Sequence, residues 1–87
     1  MNILHKYNVK PVYVLNISRD YEWEKDFYVE VFSTLKKAKD RLNELFDIEK
    51  RDFFYDYIAD EDLSDNYGEI NDNSNYFSLH IDVMKPR

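Results

Sequence analysis

The chain has 87 residues and contains no cysteine, only one glycine and only two prolines. Without cysteine, the protein can form neither a disulfide nor a thiolate metal site. The first residues also lack the long apolar run of a signal peptide or a membrane span. These absences fit a reducing compartment, so we expect a cytoplasmic protein, in the host cell if the gene is viral.

Large aromatic side chains are abundant, with eight tyrosines, six phenylalanines and one tryptophan. Each ring can bury on the order of 150–250 Å² of surface. This offsets a charged fraction of 34% and argues against a disordered chain. The length suffices for one domain, residues 1–87, and is too short for two.

The segment from Val29 to Phe46 is typical of a strand that leads into a helix. Ser33 or Thr34 can cap the helix, which we expect over about Thr34 to Phe46. Its apolar residues fall on one face at helical spacing, and they are Leu35, Ala38, Leu42, Leu45 and Phe46. Such a stripe must pack on another element, so Leu42 at its middle should be buried.

Three segments have the alternation of strands: residues 12–18, residues 27–32 and residues 76–84. The polar segment 19–26 lacks glycine, which favours a longer hairpin loop or an extension of both strands over a two-residue turn. In the last strand, Phe77, Leu79, Ile81 and Val83 should face the helix, with His80 and Asp82 outward.

The segment between the main helix and the last strand is harder to assign. Residues 47–58 can form a second short helix, with Asp47 as a candidate N-cap. Residues 59–75 hold the single glycine and half of the asparagines, which predicts a loop with a helical turn near residues 60–63. The predicted fold class is therefore α+β: a three-stranded antiparallel sheet, β-β-α-(α)-β, with one main helix on one face and an acidic insertion at about 47–75.

One part of the chain resembles a family of small uncharacterised phage and bacterial proteins. In these a V-Y-x-L strand is followed by a V-F-S-T-x-x-K-A turn from strand to helix, and the matching residues here are Val12, Tyr13, Leu15, Val31, Phe32, Ser33, Thr34, Lys37 and Ala38. The resemblance covers about Val12 to Leu42, implies a β-β-α-β arrangement and carries no catalytic residue. The acidic segment 47–75 departs from it as an insertion. In size, acidity and scarcity of glycine the chain also resembles, in kind, phage-encoded inhibitors of host defence such as anti-CRISPR proteins.

The negative charge is concentrated in one segment. The net charge is −6, yet residues 47–72 alone carry ten acids against Lys50 and Arg51, so the rest of the chain is slightly positive. Direct binding of DNA or RNA normally needs a basic footprint, so we do not expect it. The acidic segment is either a solvated face or a surface for a basic partner.

Signals for catalysis and metal binding are weak. His80 lies between Ser78 and Asp82 on a polar strand face, and with only one further histidine, His5, no histidine metal site is expected. Asp60, Asp62 and Ser64 have the alternate spacing of a calcium loop, but Asp65 and Asn71 stand where that loop needs glycine and glutamate; the register from Asp62 fails likewise. There is no phosphate-binding loop and no nucleophile motif. We therefore predict a protein that is not an enzyme and needs no cofactor or metal.

Aromatic and acidic residues alternate in the acidic segment, which suits a protein interface. The rings would supply buried area, and the acids would steer the protein toward lysine and arginine. The predicted partner-binding residues are Asp56, Tyr57, Asp60, Glu61, Asp62, Asp65, Tyr67 and Glu69. These predict a small inhibitor-like binding protein, monomer or homodimer, that acts as a nucleic-acid mimic on a basic surface, such as that of a host nuclease. The alternative is an assembly protein that self-associates through a sheet edge. No membrane partner is expected.

Overall fold

The computed structural model describes residues 10–54 and 59–85 of the chain. Six elements follow one another in the described ranges: β1 (Val12–Asp20), β2 (Lys25–Phe32), α1 (Leu35–Phe53), β3 (Asp60–Leu63), β4 (Tyr67–Asn71) and β5 (Tyr76–Met84). The strands form one antiparallel sheet in the spatial order β2-β1-β5-β4-β3, and α1 packs on one of its faces. The α+β class is confirmed, but the sheet has five strands, so the prediction of three strands is wrong.

The chain crosses from one edge of the sheet to the other through the helix. β2 lies at one edge beside β1, and α1 then leads to β3 at the opposite edge. β4 and β5 return toward the middle, where β5 pairs with β1 along nine residues of each strand. We call the side of the sheet that α1 covers the helix face, and the other side the open face.

Helix α1 begins as the sequence predicts but ends about two turns later, at Phe53. Thr34 is its N-cap and accepts a hydrogen bond from the Lys37 N–H at 3.2 Å. Lys36 Nζ lies 2.8 Å from a carboxylate oxygen of Asp40, as expected from the spacing. Residues 47–53 continue the same helix, so the second helix with Asp47 as its N-cap is wrong. Glu49 occupies the next position on the buried side of α1. Because it is an acid, the helical spacing of apolar residues is hard to recognise in the sequence beyond Phe46.

The core lies between α1 and the helix face of the sheet. The buried apolar residues from the helix and from all strands but the two edges are Leu15, Ile17, Ala38, Leu42, Leu45, Phe46, Ile70, Phe77, Leu79 and Ile81. Leu42 is 1% exposed, which confirms its predicted place. In β5 the predicted alternation holds for Phe77, Leu79 and Ile81, whereas Val83 is half exposed at the end of the strand.

The first hairpin is tighter than predicted. Tyr21 and Glu24 exchange both of their backbone hydrogen bonds, so only Glu22 and Trp23 lie beyond the last bonded pair. No described residue has a positive φ angle. The primed two-residue turns that favour glycine require positive φ, so this turn is of another type, and the missing glycine does not exclude it.

The segment predicted as an acidic loop forms two strands. β3 and β4 pair from Asp60 opposite Asn71 to Leu63 opposite Gly68, and β4 pairs with β5. Gly68 allows α1 to lie close, because a Cβ atom there would be 3.0 Å from Phe46 Cδ1 and 3.6 Å from Leu42 Cδ2. The predicted loop and its helical turn near residues 60–63 are therefore wrong.

Candidate functional site

The open face of the sheet has no covering element among residues 10–54 and 59–85, and it divides into two halves. The side chains of β2 and β1 that point to it are mostly apolar, and they include Phe27, Val29, Val31, Val12 and Val14. Apart from Met84 at the end of β5, the side chains of β3, β4 and β5 that point to it are polar or acidic, and they are Asp60, Asp62, Tyr67, Glu69, Asn71, Tyr76, Ser78, His80 and Asp82. None of these last three strands contains a lysine or an arginine.

Two acids of the acidic half lie directly opposite each other. Asp62 of β3 is paired with Glu69 of β4, and residues paired in this way share a face of the sheet. Like charges in such a pair are destabilising by a few tenths of a kcal/mol up to about 1 kcal/mol. The fold therefore holds a local concentration of negative charge on the open face, at some cost to its stability.

Neighbouring side chains hold the Glu69 carboxylate in position. It accepts a short hydrogen bond from the Tyr67 hydroxyl and a second bond from Asn71 Nδ2 at 3.0 Å. The Tyr67 hydroxyl also lies 3.5 Å from that of Tyr76. The hydrogen bond to Glu69, together with the contact with Tyr76, raises the pKa of Tyr67 well above its usual range. Tyr67 therefore remains a neutral donor at physiological pH.

A shallow depression of about 390 Å³ opens beside this carboxylate. Its lining consists almost entirely of carboxylate and amide side chains, contributed by Asp20, Glu69, Asn71, Asp72, Asn73, Ser74, Asn75 and Tyr76. Asp72 orders the turn between β4 and β5 by accepting from the backbone N–H groups of Ser74 at 2.9 Å and Asn75 at 2.8 Å. The lining thus holds three carboxylates and no basic side chain, which suits a cationic side chain.

The structure separates the predicted partner-binding residues into two groups. Asp60, Asp62, Tyr67 and Glu69 lie together on the open face. Glu61 points to the helix side, where Lys50 Nζ lies 2.9 Å from its carboxylate, and Asp65 lies 3.8 Å from Lys39 Nζ. Asp56 and Tyr57 lie outside the described residues.

Sequence reasoning missed three open-face residues near these acids: Tyr76 and Asp82 of the acidic half, and Asp20 at the adjoining end of β1. The alternation of β5 places Tyr76 and Asp82 on its polar side, but only the register with β4 shows that this side adjoins Glu69. Asp82 lies 3.1 Å from His80 Nε2 and accepts a hydrogen bond from Asn16 at 3.1 Å. His80 is an exposed strand histidine, as expected.

A different polar cluster is buried on the helix side. Glu49 is 1% exposed, and its carboxylate accepts from Arg19 Nε at 2.7 Å, from Arg19 Nη2 at 2.9 Å and from the Tyr21 hydroxyl. The hydrogen bond to Glu49 raises the pKa of Arg19, and burial followed by the hydrogen bond to Glu49 raises the pKa of Tyr21. Because Glu49 is buried, its carboxylate is closed to a ligand, and this cluster serves to link α1 to the first hairpin.

Two further searches bear on the chemistry of the described residues. Within ranges 10–54 and 59–85, no group of three or more histidine, aspartate or glutamate side chains is arranged to hold a metal ion. No helix of these ranges is long and apolar enough to cross a membrane. Comparisons with protein-family models, with curated proteins and with solved structures find no match for this chain.

Proposed function

We propose that the protein is a non-enzymatic binding protein whose open sheet face docks on a basic surface of another protein. The observation that carries the proposal is the acidic half of that face, where Asp60, Asp62 and Glu69 lie together and Asp62 opposes Glu69 at a cost in stability.

The arrangement suits lysine and arginine side chains. The ordered Glu69 carboxylate and the oxygen-lined depression beside it supply acceptors for ammonium or guanidinium groups. The rings of Tyr67 and Tyr76 supply amphipathic contact area next to these acceptors. The acids would also accelerate association with a positively charged partner, by an amount that falls as salt rises.

Surfaces that normally bind nucleic acid are the partner class with the matching chemistry, because a groove that attracts phosphates also attracts carboxylates. A host nuclease remains the partner type that we predict. The phage origin, the inhibitory role and the cytoplasmic location predicted from the sequence stay predictions.

The two groups of acids on the β3–β4 hairpin provide a matched test. D60N/D62N removes two charges from the open face, and E61Q/D65N removes two charges from the helix side of the same hairpin. Both variants have the same net charge, so they separate the effect of the open face from that of total charge. The probe is poly-L-lysine, titrated calorimetrically at low and at moderate salt, with melting curves on the same samples.

We expect D60N/D62N to bind the probe several-fold more weakly at low salt and to lose part of its salt dependence, because charges at an interface act through steering and local potential. E61Q/D65N should bind poly-L-lysine with nearly the affinity of the parent, with only the small loss that a reduction of the net charge by two causes. Equal losses in the two variants would show that only total charge matters, and the open face would then have no part in binding.

A further inference from the structure

The outer edge of β2 is the second uncovered feature of the sheet. No strand in residues 10–54 and 59–85 pairs with this edge. β2 contains no proline, and its pairing with β1 runs without interruption from Asp20 opposite Lys25 to Tyr13 opposite Phe32. Edge strands are commonly protected by prolines, bulges or charges, because their unpaired N–H and C=O groups can pair with another chain.

The hydrogen-bond pattern of the hairpin shows which groups point outward. Tyr21 and Glu24 form a bonded pair, with N···O distances of 2.7 and 3.3 Å. Bonded and non-bonded pairs alternate along an antiparallel ladder. The N–H and C=O groups of every second residue of β2 therefore point away from β1, and these residues are Lys25, Phe27, Val29 and Val31.

The same residues carry the exposed apolar side chains of the open face. Phe27 is 65% exposed, Val29 47% and Val31 60%. The edge thus combines free backbone groups with an apolar strip, and only Lys25 at its start adds a charge to that strip. We propose that β2 pairs antiparallel with β2 of a second copy of this chain, which joins two five-stranded sheets into one of ten strands.

The register that this pairing needs follows from symmetry. Residues directly opposite each other share a face of the sheet. The two-fold axis, perpendicular to the sheet, must therefore lie midway between one residue and its counterpart in the second copy. Near the middle of β2 that residue is Val29 or Tyr28. An axis at Val29 places Phe27 opposite Val31 of the second copy and Val29 opposite its counterpart. An axis at Tyr28 would instead place Asp26 opposite Glu30, two acids. Of these two central axes, the one at Val29 is free of opposed like charges, so it is the register that we assign.

The opposite edge of the sheet shows why β2 is the edge that pairs. Self-pairing of β3 would bring two copies of Asp60, Glu61 and Asp62 together, and clustered charge of this kind is a common protection of edge strands. A single pair of eight-residue strands is smaller than a standard interface of about 800 Å² per partner. Self-association should therefore depend on protein concentration. The proposal does not depend on the basic partner proposed above, whose contact lies on the other half of the open face.

Sedimentation equilibrium over a wide range of protein concentration tests the proposal. The parent should show a monomer–dimer equilibrium, and V29K should raise the dissociation constant about tenfold or more, because it places two like charges opposite each other at the axis. V12K adds the same charge to an exposed open-face position of β1, away from the edge. Its dimer should therefore have the same dissociation constant as that of the parent. Circular dichroism and melting curves confirm that each variant is folded.

The double variant F27K/V31E tests the register. In the assigned pairing each new lysine lies opposite a new glutamate, so dimerisation should return toward the parent level and become sensitive to salt, whereas F27K alone should weaken it. A parent that stays monomeric at every concentration would overturn the proposal. Equal effects of V12K and V29K would exclude the β2 edge, and a double variant weaker than F27K would exclude the axis at Val29.

Discussion

At the scale of single residues, the buried ion pair of Glu49 and Arg19 joins α1 to the end of β1. Both carboxylate oxygens of Glu49 are bonded, by Arg19 in a two-point contact and by Tyr21. Arg19 also lies 5.7 Å from the centre of the Phe77 ring and 3.4 Å from Asp26. These two buried charges are stable only while both partners remain, because nothing else compensates for the hydration that each group loses on burial.

We expect Glu49→Ala to lower the free energy of unfolding by about 3 kcal/mol or more, because it leaves Arg19 largely buried without its partner. Glu44→Ala is the matched control on the same helix. Glu44 pairs with Arg41 at the surface, so its loss should cost less than about 1 kcal/mol. Urea unfolding of both variants measures the two losses in free energy of unfolding. Equal losses would show that the buried pair contributes no more to stability than the surface pair.

The raised pKa of Tyr21 predicts a loss of stability in alkali. The folded protein holds the Tyr21 proton more tightly than the unfolded chain, whose tyrosines titrate near the ordinary value of 10.0. The contribution of this bound proton to the free energy of unfolding is therefore complete below about pH 10. Above that pH it declines, by at most about 1.4 kcal/mol per pH unit. Tyr21→Phe lacks this proton, so its free energy of unfolding should fall less steeply than that of the parent between about pH 10 and 11.5. Parallel slopes in urea titrations at these pH values would contradict the assignment.

The sequence contains a signal for this cluster that a simple reading misses. Glu49 follows Leu42, Leu45 and Phe46 at helical spacing, so it lies on the apolar stripe and not on the polar face. An acid on a buried stripe needs a buried cation, but nothing local to the helix shows that Arg19 at the end of β1 supplies it. Only the tertiary arrangement brings together two residues that are thirty positions apart.

At the scale of elements, prediction succeeded where the periodic pattern is strong. The strands β1, β2 and β5 and the start of α1 have several apolar residues on one side, and all four were found from alternation or helical spacing. β3 and β4 offer only Leu63 and Ile70 as large inward apolar residues. The pairing of β3 with β4 is stabilised by contacts of β4 with β5 and α1, which the local sequence does not show. The sequence of these two strands therefore has the polar composition typical of a loop.

Gly68 is the residue that lets β4 lie beneath the helix, and its replacement tests that contact. Gly68→Val should lower the free energy of unfolding by about 1–3 kcal/mol, because its Cβ would lie 3.0 Å from Phe46 Cδ1 and its two methyl groups would need further room beneath the helix. The strand conformation of Gly68 has no positive φ, so valine adds no backbone strain there. Calorimetric melting measures the change. A variant as stable as the parent would mean that α1 does not lie this close to β4.

At the scale of the whole molecule, α1 covers one face of the sheet, and no element of residues 10–54 and 59–85 covers the other. The helix face carries the core, while the open face combines an apolar half at β2 and β1 with an acidic half at β3, β4 and β5. The sequence predicted the acidic hairpin as a candidate interface. It did not show that Glu61 and Asp65 turn toward the lysines of α1, because the assignment of strands was missing there.

An amide-resolved NMR titration tests the central claim, that the acidic half of the open face binds basic surfaces, most directly. Poly-L-lysine is added to the isotope-labelled protein at low salt, and each backbone amide reports the local response. We predict that the largest shifts fall on Asp60, Asp62, Tyr67 and Glu69, and that the exposed side of α1 around Lys36 and Glu44 changes little. Shifts spread evenly over acidic positions on both faces, including Asp40 and Asp47 of the helix, would contradict the claim.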